Sequence, residues 1–366
     1  MVVKARGEVE ALRGLAALGV LFSHCWAVGR GSAATFGTPF GRLGLVPGEG
    51  LSLFFALSGY LLTRLLLAPR PDHPRYYRHR VARILPTWWF VLAVLLLLDQ
   101  EHVPHHLLWR FPLLLQGFWS DTVLAIDAPA WTLAVEAQYY LVLPLLVVLL
   151  RRGRALALGT VAVLAAGSLL VHVETVVRAH PSETWRYSLP ANLVYFVPGI
   201  ALAVLERRTG LVAALRRLPR PRVLLLVASL PFWLSYVVLP RSGPTSALGA
   251  GLTVAAVALP LGEGGTVRLL RGRALVTAGA LSFGIYLWHT PVLITLLDHG
   301  VTSWWGLLVL DGTVSAVLAA ISLVLVERPF LALRDQPVSR WRGPVAVRAA
   351  AGTGIAALAT VLALAL

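Results

Sequence analysis

The sequence predicts an all-α integral membrane protein, a polytopic bundle of about ten or eleven transmembrane helices. Hydrophobic residues make up 57% of the 366 residues and charged residues only 13%, and the mean hydropathy is +0.75. A soluble domain usually carries about 25% charged residues. Apolar runs close to the roughly 20 residues that a membrane-spanning helix needs recur along the whole chain. We therefore expect one transmembrane domain over residues 1–366, without an attached soluble domain.

Hydropathy locates the helices in chain order. The candidate spans are 10–28, 48–68, 84–99, 130–150, 155–173, 189–205, 223–239, 245–262, 274–297, 304–326 and 344–366. Residues 107–119 are apolar but short and contain Pro112, which predicts an interfacial or re-entrant segment. The first run lacks the cleavage site of a signal peptide, so we expect it to remain as the first helix.

The basic residues alternate in density along the chain. With the N-terminus in the cytoplasm, 26 of the 32 lysines and arginines fall on the inner side. The positive-inside rule then predicts a multi-pass protein of the cytoplasmic membrane with a cytoplasmic N-terminus. The net charge of +15 does not indicate nucleic-acid binding, because the basic residues form short clusters between apolar runs. All but one of them are arginine, a composition typical of a GC-rich, bacterial genome.

The first predicted helix carries two polar residues, Arg13 and His24, eleven positions apart. At about 100° per residue they differ by only about 20° after three turns, and they lie about 16 Å apart along the axis. Charged and ionisable groups inside a bilayer are functional candidates, because burying them is costly. Each has a simpler interpretation, since Arg13 can extend to the headgroups and His24 can serve as a hydrogen-bonded packing residue.

Further polar residues occur in the fourth, ninth and tenth spans. Glu136 lies about 9 Å and His24 about 6 Å below the same surface, so the carboxylate is a candidate partner that orients the imidazole. Tyr286 and His289 lie in the corresponding half of the ninth span, and Asp311 lies in the tenth. The alternative for Glu136 and Asp311 is an ion pair with an arginine of the bundle.

Three other features have a simple structural interpretation, as packing residues or as a topology signal. Ser58 and Gly59 lie in the middle of a span, where small residues usually permit close helix packing. Arg80 and Arg83 share a helical face at the inner surface, an arrangement that suits phosphate but is also a common topology signal. Cys25, the only cysteine, excludes an internal disulfide and a cysteine-ligated metal site, and we interpret it as a packing residue.

Taken in order, these motifs resemble the acyltransferase 3 family of membrane O-acyltransferases over residues 8–330. The resemblance is carried by LRGLAA (12–17) with the Arg13–His24 spacing, FFALSGY (54–60), RVARILP (80–86), WTLAVEAQYY (131–140), FGIYLWH (283–289) and VERP (326–329). The chain ends at Leu366, which predicts a stand-alone form without the SGNH-type hydrolase domain of some relatives, with a possible extra helix at 344–366.

The resemblance implies an acyl-CoA-dependent enzyme that acylates a hydroxyl of a sugar-containing acceptor: a surface glycan, a lipid-linked sugar or a glycosylated natural product. It implies that Arg13 and His24 are essential, with His24 as the base, and that Arg80 and Arg83 bind the CoA donor. Acyl-CoA, acetyl-CoA among the short forms, is then a donor substrate, and we expect no metal and no permanently bound cofactor.

The residues are consistent with direct attack of the hydroxyl on the thioester. No nucleophile elbow is present, so we expect no covalent enzyme intermediate. The group that stabilises the oxyanion is not specified by a motif, and Tyr286, Ser58 and His289 are the candidates. A different class remains open, a transporter or flippase of acyl or sugar compounds in which His24 and Glu136 relay protons. A non-catalytic scaffold would leave the common face of Arg13 and His24 unexplained.

Overall fold

The computed structural model describes residues 7–98, 103–177, 182–239, 243–262 and 264–334. Ten apolar helices in these ranges are numbered here in chain order: α1 (Gly7–Arg30), α2 (Gly50–Leu66), α3 (His73–Leu97), α4 (Trp131–Arg151), α5 (Arg154–His172), α6 (Leu189–Arg208), α7 (Pro221–Val238), α8 (Gly243–Ala258), α9 (Arg273–Asp298) and α10 (Trp304–Ser322). Nine helical stretches of this part of the chain are long and apolar enough to cross a membrane, and α8 is shorter. The all-α membrane bundle is thus confirmed. The predicted span at 344–366 lies outside the described residues.

Helix α3 begins at His73 rather than at residue 84, where hydropathy places its start. Its N-cap is Asp72, whose side chain accepts a hydrogen bond from the backbone nitrogen of Arg75 at 2.9 Å. The first turns are polar, and a hydropathy window does not detect a polar extension of an apolar helix. As a result, Arg80 and Arg83 lie well inside a long helix, one turn apart on the same face.

The helices run alternately in opposite directions, and arginine contacts join their ends on one side of the bundle. Arg208, at the end of α6, donates to the backbone oxygens of Leu150 and Arg151 at the end of α4, at 3.1 and 2.8 Å. Arg271, just before α9, forms an ion pair of 2.8 Å with Glu8 at the start of α1. We call this side, where α1 and α9 start and α4 and α6 end, the basic end.

Glycines allow two close helix crossings in the bundle. Where α1 crosses α9, a Cβ atom built on Gly14 would lie 2.6 Å from the backbone nitrogen of Gly279. Where α2 crosses α6, a Cβ atom on Gly59 would collide with the backbone of Phe196. Small residues at such crossings let two helix backbones approach closely inside a membrane. The packing interpretation of Gly59 therefore agrees with its position.

The segment 107–119 contains no long helix. Two short 3₁₀ helices, His105–Arg110 and Gln116–Phe118, flank a turn. The indole nitrogens of Trp88 and Trp89 on α3 each donate to this turn, to the backbone oxygens of Phe111 and Pro112, at 2.7 Å. These hydrogen bonds hold the segment against α3. They also satisfy two backbone carbonyl groups that have no partner within a helix.

Helix α8 ends against an arginine of its neighbour α7. Arg222 is only 8% exposed, although it carries a charge. Its guanidinium donates to the backbone oxygens at the C-terminal end of α8 and just beyond, those of Ala256, Val257, Leu259 and Gly262. The last carbonyls of a helix have no partner within the helix, so Arg222 supplies one.

Candidate active site

Helices α1, α2, α3, α4 and α9 surround one cavity. Its empty space is about 640 Å³, including the part that opens to the surroundings. The polar part of the wall includes Arg13, Ser58, Arg80, Arg83, Glu136 and Tyr286, and the apolar part consists of Leu51, Phe54, Phe55, Ile84, Leu133 and Phe283. Six of the eight predicted site residues therefore line a common space. The other two, His24 and His289, lie outside its lining.

The cationic side of the cavity is made by three arginines. Arg13 forms an ion pair of 3.5 Å with Glu10, one turn before it on α1. Arg80 and Arg83 form no ion pair or hydrogen bond with the described residues, and the Nε atom of Arg80 is buried without a partner. The Arg80 guanidinium lies 5.8 Å from the centre of the Tyr140 ring. Two guanidinium groups in this cavity are therefore available to an anionic ligand.

Glu136 faces the arginines and is held by neutral hydroxyl groups. The Ser58 hydroxyl donates to its Oε1 at 2.8 Å, and the Tyr140 hydroxyl donates to its Oε2 at 2.9 Å. Within the described ranges Glu136 forms no hydrogen bond with His24, so the predicted direct pairing of these two residues is wrong. Glu136 lines the cavity, whereas His24 lies on the side of α1 that meets α9.

The partner of His24 is His289. The His24 Nδ1 and His289 Nε2 atoms are 2.9 Å apart, and the two ring planes are nearly parallel, 14° apart, with ring centres separated by 5.1 Å. His289 is fully buried, and its Nδ1 lies 2.6 Å from the backbone oxygen of Tyr286. His24 is partly exposed, and its Nε2 forms no hydrogen bond with a described residue. One nitrogen of His24 is thus held and the other is available.

Tyr286 connects the cavity to the histidine pair. Its side chain lines the cavity, and its ring centre lies 5.6 Å from that of His289. Its hydroxyl lies 3.0 Å from the Thr132 hydroxyl and 3.3 Å from the backbone oxygen of Pro129. The three candidates for oxyanion stabilisation, Tyr286, Ser58 and His289, are all engaged in hydrogen bonds inside the protein. That role stays a prediction for each of them.

Two residues at the site had not been given a role from the sequence. Tyr140 follows Glu136 by four positions, the spacing that lets two helix residues meet, and this spacing was the available signal. Glu327 belongs to the VERP motif and is only 4% exposed in a π-helical turn, Leu323–Glu327, where its charge interacts with that of Arg83. No periodic sequence pattern predicts a π-helical turn. The direction in which the Glu327 side chain points could therefore not be inferred from the sequence.

Asp311 and Cys25 form a separate polar contact between α10 and α1. The Cys25 thiol donates to Asp311 Oδ2 at 3.4 Å, and the Ser315 hydroxyl donates to Oδ1 at 2.7 Å. The alternative considered for Asp311 from the sequence was an ion pair with an arginine of the bundle. Asp311 instead accepts hydrogen bonds from two neutral groups. Across the described residues, no group of three or more His, Cys, Asp or Glu side chains is arranged to hold a metal ion.

Together, the fold and the cavity define a polytopic membrane protein with an arginine-lined cavity inside the bundle. The chain belongs to the acyltransferase 3 family, whose model, described as an acyltransferase domain, matches residues 6–326. It is therefore a membrane acyltransferase by family, as the ordered motifs predicted. No solved structure matches the chain.

Relatives of known name agree with this membership. The chain is 27% identical to nodulation protein 10 of Rhizobium leguminosarum bv. viciae, with 92% of this chain and 96% of the relative covered. It is 26% identical to the putative membrane-bound transacylase BcsY of Komagataeibacter xylinus, with 96% and 90% covered. It is 25% identical to the putative peptidoglycan O-acetyltransferase YrhL of Bacillus subtilis, with 76% of this chain covered; the matched region spans half of that relative.

Proposed function

We propose that this membrane acyltransferase transfers a short acyl group from acyl-CoA to a hydroxyl of a sugar-containing acceptor. The observation that carries the proposal is the pair Arg80 and Arg83, which face the cavity and form no direct ion pair with a described residue. A cavity inside a membrane bundle rarely presents unpaired guanidinium groups unless a ligand neutralises them. The family membership supplies the reaction class, acyl transfer.

The arginines favour coenzyme A as the carrier of the acyl group. Its phosphate groups match the fork of donors that a guanidinium presents. Three guanidinium groups and one carboxylate line the cavity, so its wall is cationic overall. The apolar side chains Phe54, Phe283 and Leu133 line the rest of the cavity and suit the pantetheine arm of the donor.

His24 is the general base in this proposal. It lies about 16 Å beyond Arg13 along α1, a distance that the extended pantetheine arm can cover. The Nε2 lone pair of His24 takes the proton of the acceptor hydroxyl while the oxygen attacks the thioester carbonyl carbon. The carbon–sulfur bond then breaks, and the departing thiolate takes the proton from the imidazolium, which regenerates the free base.

The acceptor is proposed from the names of the relatives. A peptidoglycan O-acetyltransferase modifies a glycan hydroxyl, and YrhL carries that name. We extend this to a surface glycan, a lipid-linked sugar or a glycosylated natural product as acceptor for the present chain. The proposal also includes the orientation that the basic residues predict: the basic end in the cytoplasm, where acyl-CoA is found, and the His24 side toward the outer surface of the cytoplasmic membrane.

The test measures release of free CoA thiol by the purified protein in detergent. Acetyl-CoA is supplied with three probes in turn: a soluble peptidoglycan fragment, a lipid-linked sugar and a glycosylated natural product. We expect thiol release that depends on one of the acceptors. His24→Gln should lower turnover by about 10²–10⁴-fold, the usual contribution of a general base. Near-normal turnover in folded His24→Gln protein would exclude His24 as the base.

The donor site is tested by equilibrium binding of acetyl-CoA. The double variant Arg80→Ala, Arg83→Ala loses charged hydrogen bonds worth about 1.5–3 kcal/mol each, so the dissociation constant should rise by about a hundredfold or more. Arg154→Ala, at an exposed arginine of the basic end, is the matched control and should bind as the wild type does. If the double variant binds acetyl-CoA with unchanged affinity, these arginines serve only as a topology signal at the inner surface and do not bind the donor. Transport of an acceptor into vesicles without thiol release would favour a transporter.

A further inference from the structure

We infer that His289 is the positioning residue of the site: it holds His24 in the tautomer whose Nε2 is a free acceptor. This inference rests on the proposed function, because it explains how His24 can act as a base. The histidine pair joins α1 to α9 by one hydrogen bond between ring nitrogens, at 2.9 Å. The groups around His289 decide which of the two ring nitrogens donates in this hydrogen bond.

The first step fixes the proton of His289. The Nδ1 atom of His289 lies 2.6 Å from the backbone oxygen of Tyr286. A carbonyl oxygen can only accept a hydrogen bond. The proton of His289 therefore lies on Nδ1, since a bare nitrogen at this distance would place two lone pairs against each other.

The second step concerns the other nitrogen of His289. In a neutral imidazole with the proton on Nδ1, Nε2 is an acceptor. Two groups face this atom, the His24 Nδ1 at 2.9 Å and the Thr290 hydroxyl at 3.2 Å, and both can donate to it. A doubly protonated His289 would be a fully buried cation without a carboxylate bonded to it in the described part of the chain, which is a costly state.

The third step follows for His24. Its Nδ1 carries the proton, because it donates to His289, and its Nε2 therefore has the free lone pair. The two histidines cannot exchange roles in this arrangement. Both nitrogens of His289 are occupied and the ring is fully buried, whereas His24 is partly exposed. His24 can meet an acceptor hydroxyl, and His289 can only orient it.

The position of His289 is itself held from two directions. Tyr286, one turn earlier on α9, supplies the carbonyl that fixes the His289 proton, and its own hydroxyl contacts Thr132 on α4. Gly14 and Gly279 bring the backbones of α1 and α9 into direct contact further along the same pair of helices. The orienting role that the sequence suggested for Glu136 thus falls to a residue of α9.

A pair of variants that differ mainly in acceptor strength tests this inference. His289→Gln offers an amide oxygen that can accept from His24 Nδ1, whereas His289→Met has similar length and only a weak acceptor. We expect turnover of His289→Met to fall about tenfold or more below that of His289→Gln, because the tautomer of His24 is no longer fixed. The KM for acetyl-CoA should stay within about twofold in both, since the arginines are untouched. A packing role alone predicts equal turnover for the two variants.

The outcomes separate this inference from the proposed function. If His24→Gln is inactive while His289→Met turns over as fast as His289→Gln, His24 remains the base and the positioning role of His289 is wrong. If folded His24→Gln protein is fully active, the proposed base itself is wrong and the inference is lost with it. Should His289→Met not fold, His289→Leu replaces it in the same comparison. A shift in KM without a difference in turnover would also overturn the inference.

Discussion

The carboxylate of Glu136 faces three guanidinium groups and forms an ion pair with none of them in the described ranges. Its two oxygens accept instead from Ser58 and Tyr140. Carboxylates bonded to neutral donors stay in place without neutralising nearby arginines. Arg80 and Arg83 thus keep their charge for a ligand, while the wall that faces them remains ordered.

Replacement of this carboxylate should separate turnover from donor binding. In Glu136→Gln the amide nitrogen is a donor, so Ser58 and Tyr140 can no longer both donate to the side chain. An unsatisfied buried group costs about 1–3 kcal/mol, and we expect turnover to fall about tenfold. Donor affinity should be unchanged or slightly higher, since one negative charge facing the phosphates is removed. Equilibrium binding and steady-state kinetics check this, and a tenfold loss of donor affinity at normal turnover would contradict it.

Residue identities at the site were largely accessible from the sequence, and residue pairings were not. Arg13, Arg80 and Arg83 line one cavity, as their faces and motifs suggested. The sequence predicts similar depths for His24 and Glu136, but depth does not determine the direction in which a side chain points around the bundle. That direction depends on which helices are neighbours. The contact of α1 with α9, made possible by Gly14 and Gly279, gave His24 a different partner.

At the scale of the elements, hydropathy located the helices because each one depends on its own composition. Ten predicted spans correspond to α1–α10. The start of α3 was missed because its first turns are polar and its beginning depends on the Asp72 cap. The π-helical turn Leu323–Glu327 was missed because it depends on the fit of α10 to its neighbours rather than on local pattern.

The crossing of α1 and α9 gives a prediction about stability. Alanine normally improves a helix over glycine by about 1 kcal/mol. At Gly14, however, the added Cβ atom would lie 2.6 Å from the backbone nitrogen of Gly279, and a backbone cannot move aside as a side chain can. Gly14→Ala should therefore lower the melting temperature in detergent. Gly167→Ala is the matched control on α5, where nothing lies within 4 Å of the added atom, and it should be neutral or stabilising. Equal behaviour of the two variants would refute the close crossing.

The whole molecule divides into a buried set of helices and a peripheral set. Helices α1, α2, α6 and α9 carry long rows of buried residues, whereas α5 and α7 bury few. Inside a bilayer, an exposed apolar helix faces lipid. The cavity is lined by α1, α2 and α9 of the first group together with α3 and α4, whereas α5 and α7 contribute no lining residue.

The orientation of the whole molecule is tested by cysteine labelling. Cys25 should be replaced by serine rather than alanine, because its thiol donates to the buried Asp311. In that background, Ala213→Cys lies on the short exposed helix Leu211–Arg216 at the basic end, and Ala33→Cys lies on Ser32–Phe36 at the other end. We expect an impermeant thiol reagent to label position 33 and not position 213 in intact cells. The reverse pattern would invert the proposed orientation.

The arginine at the end of α8 has a consequence for how the protein enters the membrane. Within the described residues, helix α8 has 16 residues and extends about 24 Å, less than the roughly 30 Å of hydrocarbon that a spanning helix crosses. A segment this short is a poor substrate for insertion on its own, and the Arg222 guanidinium on α7 satisfies the backbone carbonyls at its C-terminal end. Packing against α7 thus lowers the insertion penalty of α8. We expect α7 and α8 to enter the bilayer together during synthesis, as a single hairpin.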